Sequence, residues 1–160
     1  MDEDEAAAWR GLAALLPPAL ARDVLECRDV GEQEAGIDLL VTGLVDGDVA
    51  ISGDERAGIA VIAEVWGVRE SLEPTLRRCR SRDGGRVRVV EGEPVEAEEG
   101  LVVVPWLACA GCDRVLGRVH RREPWDDLSY EAVRYELPPR LFGPEEAWAA
   151  FTALTSCAHR

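Results

Sequence analysis

The chain has 160 residues, 47% of them hydrophobic, with 31 acidic and 18 basic side chains and a net charge of -13. That length fits one ordinary domain or two small ones, and the charge disfavours nucleic acid as a partner because a phosphate backbone would be repelled. No run of about 18 apolar residues suggests a membrane span, and the acidic start MDEDE is unlike the basic opening of a signal peptide, so a cytoplasmic location is expected.

Residues 2–16 read as a first helix, with Asp2, Glu3, Asp4 and Glu5 at the positive end of its dipole and Trp9, Leu12 and Leu16 on one side. Pro17 and Pro18 end it. Residues 19–30 form a second, with Leu20, Val24 and Cys27 at helical spacing, and Gly31 breaks the chain. In the third, Ile37, Leu40, Val41 and Leu44 make an i, i+3, i+4, i+7 stripe while Glu34, Asp38 and Thr42 fall on another face. The turn Asp46-Gly47-Asp48 leads to a fourth helix, which Ser52 and Glu55 open as a capping box. This helix carries Ile59, Ile62, Ala63 and Trp66, and Gly67 is its expected stop. Residues 71–80 read as a fifth helix with Pro74 in the first turn, where a missing N–H is harmless.

Near Ser81 the period changes from helical to alternating, and a domain boundary is expected there. Val87 and Val89 alternate with Arg86 and Arg88 as in a strand with one buried face. An acidic loop follows through Glu91, Glu93, Glu96, Glu98 and Glu99. Leu101 to Leu107 is a near-continuous apolar run, hence a central strand, in which Pro105 demands a bulge or an unpaired edge. Val115 to Val119 pairs back as a hairpin arm. Val133, Tyr135 and Leu137 form another strand, closed by Pro138 and Pro139, and Gly143-Pro144 opens a last helix with Ala147, Trp148, Phe151 and Leu154. The expected class is α+β: an antiparallel helical bundle over residues 1–80, then a small antiparallel β half over 81–160 with a zinc-ribbon-like CxxC hairpin and a C-terminal helix.

Cys109-Ala-Gly-Cys112 falls between two of these strands, where two thiolates in a tight turn can grip one metal ion. A structural zinc is the expected cofactor. The other half of a tetrahedral site is Cys157 and His159, which share one side if the tail is extended and therefore require the last helix to end near Thr155. His120 is the rival fourth ligand, but eight residues of straight strand from Cys112 would place it roughly 26 Å away. The same CxxC also fits a redox-active pair or two unliganded thiols. Cys27 and Cys79 fall on helical segments and read as buried or inert. Because a set of three cysteines and one histidine fills every position on zinc, the site reads as structural. No phosphate-binding glycine loop, metal-hydrolase motif or nucleophile–base signature is present, so no catalytic residue is assigned.

Over residues 14–68 the sequence resembles the MafI-type small helical immunity proteins of bacterial polymorphic toxin systems. The resemblance is carried by a helix ending at a Gly-Glu pair (Gly31-Glu32), an Ala-x-x-x-Leu helix core (Ala35 and Leu39) and an apolar-Ser helix start (Ile51-Ser52). It implies an immunity protein that binds a cognate toxin domain, often a cationic nuclease, and neutralises it inside the producing cell. Asp29, Glu32, Glu34, Asp38, Asp46 and Asp48, clustered around the second and third helices, are the expected partner-binding residues, suited to steering a basic surface into contact. The alternative is a zinc-ribbon adaptor that holds a different protein partner through its β half.

Overall fold

Three successive helices end in the same device. After α2 (Pro18–Asp29), α3 (Gln33–Asp46) and α4 (Gly53–Val65) the chain enters a left-handed residue, Gly31, Asp48 and Gly67 in turn, with φ of 87°, 49° and 70°. The next N–H then reaches back to a helix carbonyl, from Glu32 to Cys27 at 2.8 Å, Val49 to Leu44 at 2.9 Å and Val68 to Ala63 at 2.9 Å. Each stop satisfies carbonyls that a helix end otherwise leaves bare. With α1 (Glu3–Ala13) and α5 (Arg69–Arg78), these helices make up the first of two compact units, Met1–Gly85 and Arg86–Arg160. The computed structural model describes residues 2–157, and the chain is α+β, with six helices and six strands among them.

In the first unit the buried set is Trp9, Leu12, Val24, Ile37, Leu40, Val41, Leu44, Ile59 and Ile62, the stripes that the 3.6-residue period marks out. α3 is buried along Gly36, Ile37, Leu40, Val41 and Leu44. The Ala-x-x-x-Leu pair lies outside this stripe: Ala35 is exposed and Leu39 half-buried. Gly36 takes the core position because a Cβ there would stand 3.2 Å from the Cys27 Cβ and 3.3 Å from the Val24 carbonyl, so glycine lets α3 approach α2 closely. At the start of α4, the Ser52 N–H donates to Glu55 at 2.7 Å and the Glu55 N–H to the Ser52 hydroxyl at 3.2 Å, the expected capping box.

α5 begins two residues before its expected start, so Pro74 is interior rather than in the first turn. The burial of Leu72 and Leu76 holds this helix despite the missing N–H. Arg56 helps from α4 by donating to the carbonyls of Leu76 at 2.7 Å and Cys79 at 2.8 Å. Residues 80–84 run back along 51–53, with the Ile51 N–H on the Arg80 carbonyl, the Arg82 N–H on the Ile51 carbonyl and the Gly53 N–H on the Gly84 carbonyl. At Gly85, φ 110°, a Cβ would stand 3.0 Å from the Asp54 nitrogen, so the close passage of this segment along the start of α4 calls for glycine. These bonds attach residues 81–85 to the helical unit.

The second unit is one antiparallel sheet with a helix. The strands are β1 (Val87–Val89), β2 (Val95–Glu98), β3 (Leu101–Cys109), β4 (Val115–Arg121), β5 (Arg134–Leu137) and β6 (Arg140–Phe142), in the order β1-β3-β4-β5-β6, with β2 also on β3. β3 is central, as its apolar run predicts. Pro105 pairs with Gly117 and Leu107 with Leu116, leaving Trp106 as the extra residue of a bulge that accommodates the proline. Of β1, Val87 is buried but Val89 is exposed, so the expected buried face is half present. The acidic loop contains a strand: β2 pairs with β3 through a turn at Gly100, φ 76°. Its Glu96 pairs with Arg122 and its Glu98 with Arg134 at 3.0 Å. Pro138 and Pro139 form the turn of a hairpin into β6 instead of ending the sheet. α6 (Ala147–Thr155) buries Ala147, Trp148, Ala150 and Leu154 and packs on β3, β4, β5 and β6.

Candidate metal centre

β3 ends at Cys109, whose side chain is 2% exposed. The Cys109 N–H donates to the Arg114 carbonyl at 2.9 Å, which closes the turn, and the Ala110 N–H donates to the Arg86 carbonyl at 2.8 Å. Cys112 sits at the exposed tip of that turn. Cys157 reaches the same place from the other direction. α6 stops at Thr155, Ser156 caps it, and the Cys157 N–H still holds the Leu154 carbonyl at 3.2 Å. The sulfurs of Cys109, Cys112 and Cys157 all lie within 4.8 Å of one another, and those of Cys112 and Cys157 are 3.4 Å apart. None of the three is in a disulfide.

Three convergent thiols can hold a metal ion. Around zinc, thiolates at about 2.3 Å in tetrahedral directions stand about 3.8 Å from one another, and the observed spacing is of that size. The sulfurs come from two chain segments 45 residues apart, so an ion here fastens the end of α6 to the β3–β4 turn. Of the four expected ligands, three are brought together. His159 lies outside the described residues. His120 belongs elsewhere: it is five residues along β4 from Val115, about 16 Å at about 3.3 Å per residue. It pairs with Val102 and is buried, with its Nδ1 2.7 Å from the Ser129 carbonyl. The β3–β4 ladder runs from Ala108–Val115 beside the turn to Leu101–Arg121 at the far end, and His120 is not in the cysteine cluster. Cys27 is half-buried on α2 and Cys79 buried after α5, where desolvation pushes its thiol up from the ordinary 9.0 against the pull of Arg56 and Arg78.

All six expected partner-binding carboxylates, Asp29, Glu32, Glu34, Asp38, Asp46 and Asp48, are exposed. Two of them have local duties. Asp29 pairs with Arg28 at 2.5 Å; Asp48 pairs with Arg80 at 3.1 Å and supplies the left-handed stop of α3. Glu32, Glu34, Asp38 and Asp46 have no ion-pair partner among the described residues. Glu34 and Asp38 fall at i and i+4 of α3, with Asp46 about two turns further on and about 80° round the helix from Asp38; all three lie outside its buried set, and α3 contains no basic residue. Glu34 in the first turn is favoured by the positive end of the dipole, whereas Glu34 and Asp38 repel each other at i, i+4 and Asp46 faces the negative end.

One buried carboxylate gave no distinguishing signal. Glu5, 3% exposed, accepts the Trp9 indole N–H at 3.2 Å and the Trp66 indole N–H at 2.6 Å. It lies in an acidic run at the start of the chain, and only its i, i+4 spacing to Trp9 sets it apart. No family model, curated protein or solved structure matches the chain. No helix among the described residues is long and apolar enough to cross a membrane.

Proposed function

We propose that this chain is an immunity-type inhibitor that binds a basic toxin domain through the exposed carboxylates of α3 and turns over no substrate of its own. The observation that carries this reading is the exposed set of Glu34, Asp38 and Asp46 on α3, with Glu32 at its N-cap, for which no ion-pair partner is found among the described residues. The Glu34–Asp38 repulsion and the position of Asp46 at the negative end of the dipole are local costs that a cationic partner would offset. A net charge of -13 acts in the same sense at longer range by steering a basic protein towards the helical unit. A cationic nuclease domain is the partner class that this field suits.

In the same reading the cysteine cluster holds a structural zinc ion. Cys109, Cys112 and Cys157 supply three thiolates and His159 the fourth ligand, which leaves no open position for a substrate water. The ion fixes the end of α6 to the sheet and, because the unfolded chain offers no preformed site, its binding free energy adds to the stability of the fold.

A neighbouring gene is expected to encode the toxin domain, and co-expression with that domain is the direct test: the wild-type chain restores growth, and a Glu34→Arg/Asp38→Arg variant restores it poorly. Growth arrest unrelieved by the wild-type chain would contradict the inhibitor reading. The exposed Cys112 turn favours a second reading, a zinc-ribbon adaptor whose partner sits on the β unit. An adaptor would bind its partner equally well when the α3 charges are reversed.

A further inference from the structure

We infer that Cys112 and Cys157 form a peroxide-sensitive thiol pair that closes to a disulfide and so opens the metal centre; the metal-release half of this inference rests on the cluster being a metal site. The CxxC motif in the sequence points to Cys109 and Cys112 as the redox couple. The structure separates those two by access. Cys109 is 2% exposed and fixed at the end of β3, paired with Val87 and bound through its N–H to Arg114. Cys112 is exposed at the turn tip and Cys157 half-buried beyond the end of α6. An oxidant in solution therefore meets Cys112 first, and the thiol that can follow it lies 3.4 Å away on Cys157.

Closing this pair asks little of the backbone. A disulfide is about 2.05 Å long, so the sulfurs must approach by roughly 1.4 Å, and both belong to segments outside regular helix or strand. The chemistry balances with hydrogen peroxide as the oxidant. The Cys112 thiolate attacks one peroxide oxygen, the O–O bond breaks, and hydroxide leaves; Cys112 is then a sulfenic acid. The Cys157 thiolate attacks that sulfur and expels a second hydroxide as the S–S bond forms. Two protons convert the hydroxides to water, two electrons have passed from the thiolates to the peroxide, and a bound metal ion has lost two anionic ligands. A thiol reductant reverses the step by exchange.

The new bond joins the same two segments that the metal joins, so it preserves the closed loop of 45 residues in the oxidised state. Oxidation thus releases the ion and changes the exposed turn while α6 stays attached to the sheet.

The test uses the full chain treated with hydrogen peroxide, then alkylated and mapped by mass spectrometry, with a chromogenic chelator reporting released metal. The expected result is a loss of two hydrogen masses, one cross-linked peptide containing Cys112 and Cys157, and metal release that dithiothreitol and added zinc reverse. Cys109→Ser retains this cross-link, whereas Cys157→Ser goes to sulfinic acid and is not rescued by dithiothreitol. A Cys109–Cys112 cross-link, or sulfinic acid without any cross-link in the wild type, overturns the inference. Metal content of the untreated protein separates the two readings. A metal-free protein that still forms the Cys112–Cys157 bond retains the thiol pair and loses the zinc site, and a fully loaded protein that forms no bond does the opposite.

Discussion

The sulfurs of Cys112 and Cys157 stand 3.4 Å apart although 45 residues separate them in the chain. A contact of this kind between the tip of one turn and the end of a helix fixes where α6 lies along the sheet, and Cys109 completes the cluster from the last position of β3. If a metal ion makes this contact, its removal must loosen the β unit. Zinc at a hundred times its dissociation constant stabilises the native state by about 2.7 kcal/mol. A strong chelator is therefore expected to lower the thermal midpoint of the wild type and to leave that of Cys157→Ser unchanged, read by calorimetry, with zinc content near one per chain falling to near zero in the variant.

The buried Glu5 carboxylate predicts a stability effect in the helical unit. Truncating it to alanine leaves the Trp9 and Trp66 indole N–H groups without their acceptor, at a cost of about 1–3 kcal/mol. Urea denaturation followed by tryptophan fluorescence measures this, and Glu5→Gln, which keeps an acceptor oxygen, should lose less.

The capping box gives a smaller, cleaner number. Ser52→Ala removes the acceptor for the Glu55 N–H and is expected to cost about 1 kcal/mol, seen as a lower urea midpoint with an unchanged slope.

Cys79 sets an alkaline limit. Burial raises its thiol above 9.0, so the folded state holds the proton more firmly than the unfolded chain does. The stability tied to this proton is complete below 9.0 and is lost as the pH rises through the raised folded value. Cys79→Ala should therefore show a shallower fall in urea midpoint on the alkaline side than the wild type, whatever its absolute stability. In thiol labelling of the native, metal-free protein, Cys112 should react first and Cys79 and Cys109 only on unfolding.

Much of the helical unit was legible because its burial follows a single period. Ile37, Leu40, Val41 and Leu44 mark one face of α3, and Ser52, Glu55, Gly31 and Gly67 mark helix ends by backbone chemistry that needs no tertiary context. β2 was not legible although Val95 and Ala97 alternate with Glu96 and Glu98, since the segment is only four residues long, lies in an acidic run and is exposed throughout, so no buried face marks it. β6 hid behind Pro138 and Pro139, which read as a stop and act as a turn. At α5 the buried Leu72 and Leu76 outweighed Pro74, which is expected from the sequence in the first turn and lies in the helix interior. In the cluster, spacing alone paired Cys109 with Cys112 and pointed to Cys157, because both arguments are local. The location of His120 depended on strand register, and the acceptor role of Glu5 depended on Trp66, 61 residues away.

The proposed capture of a basic protein rests on the exposed carboxylates of α3, which have no ion-pair partner among the described residues. The most direct measurement is the association rate of a purified cationic toxin domain, the proposed partner class, with the wild-type chain and with Glu34→Arg/Asp38→Arg, taken across a salt series. The account predicts an on-rate for the variant lower by about tenfold or more at low ionic strength and a flatter salt dependence, with zinc content unchanged. Equal on-rates and parallel salt slopes for the two proteins would contradict it.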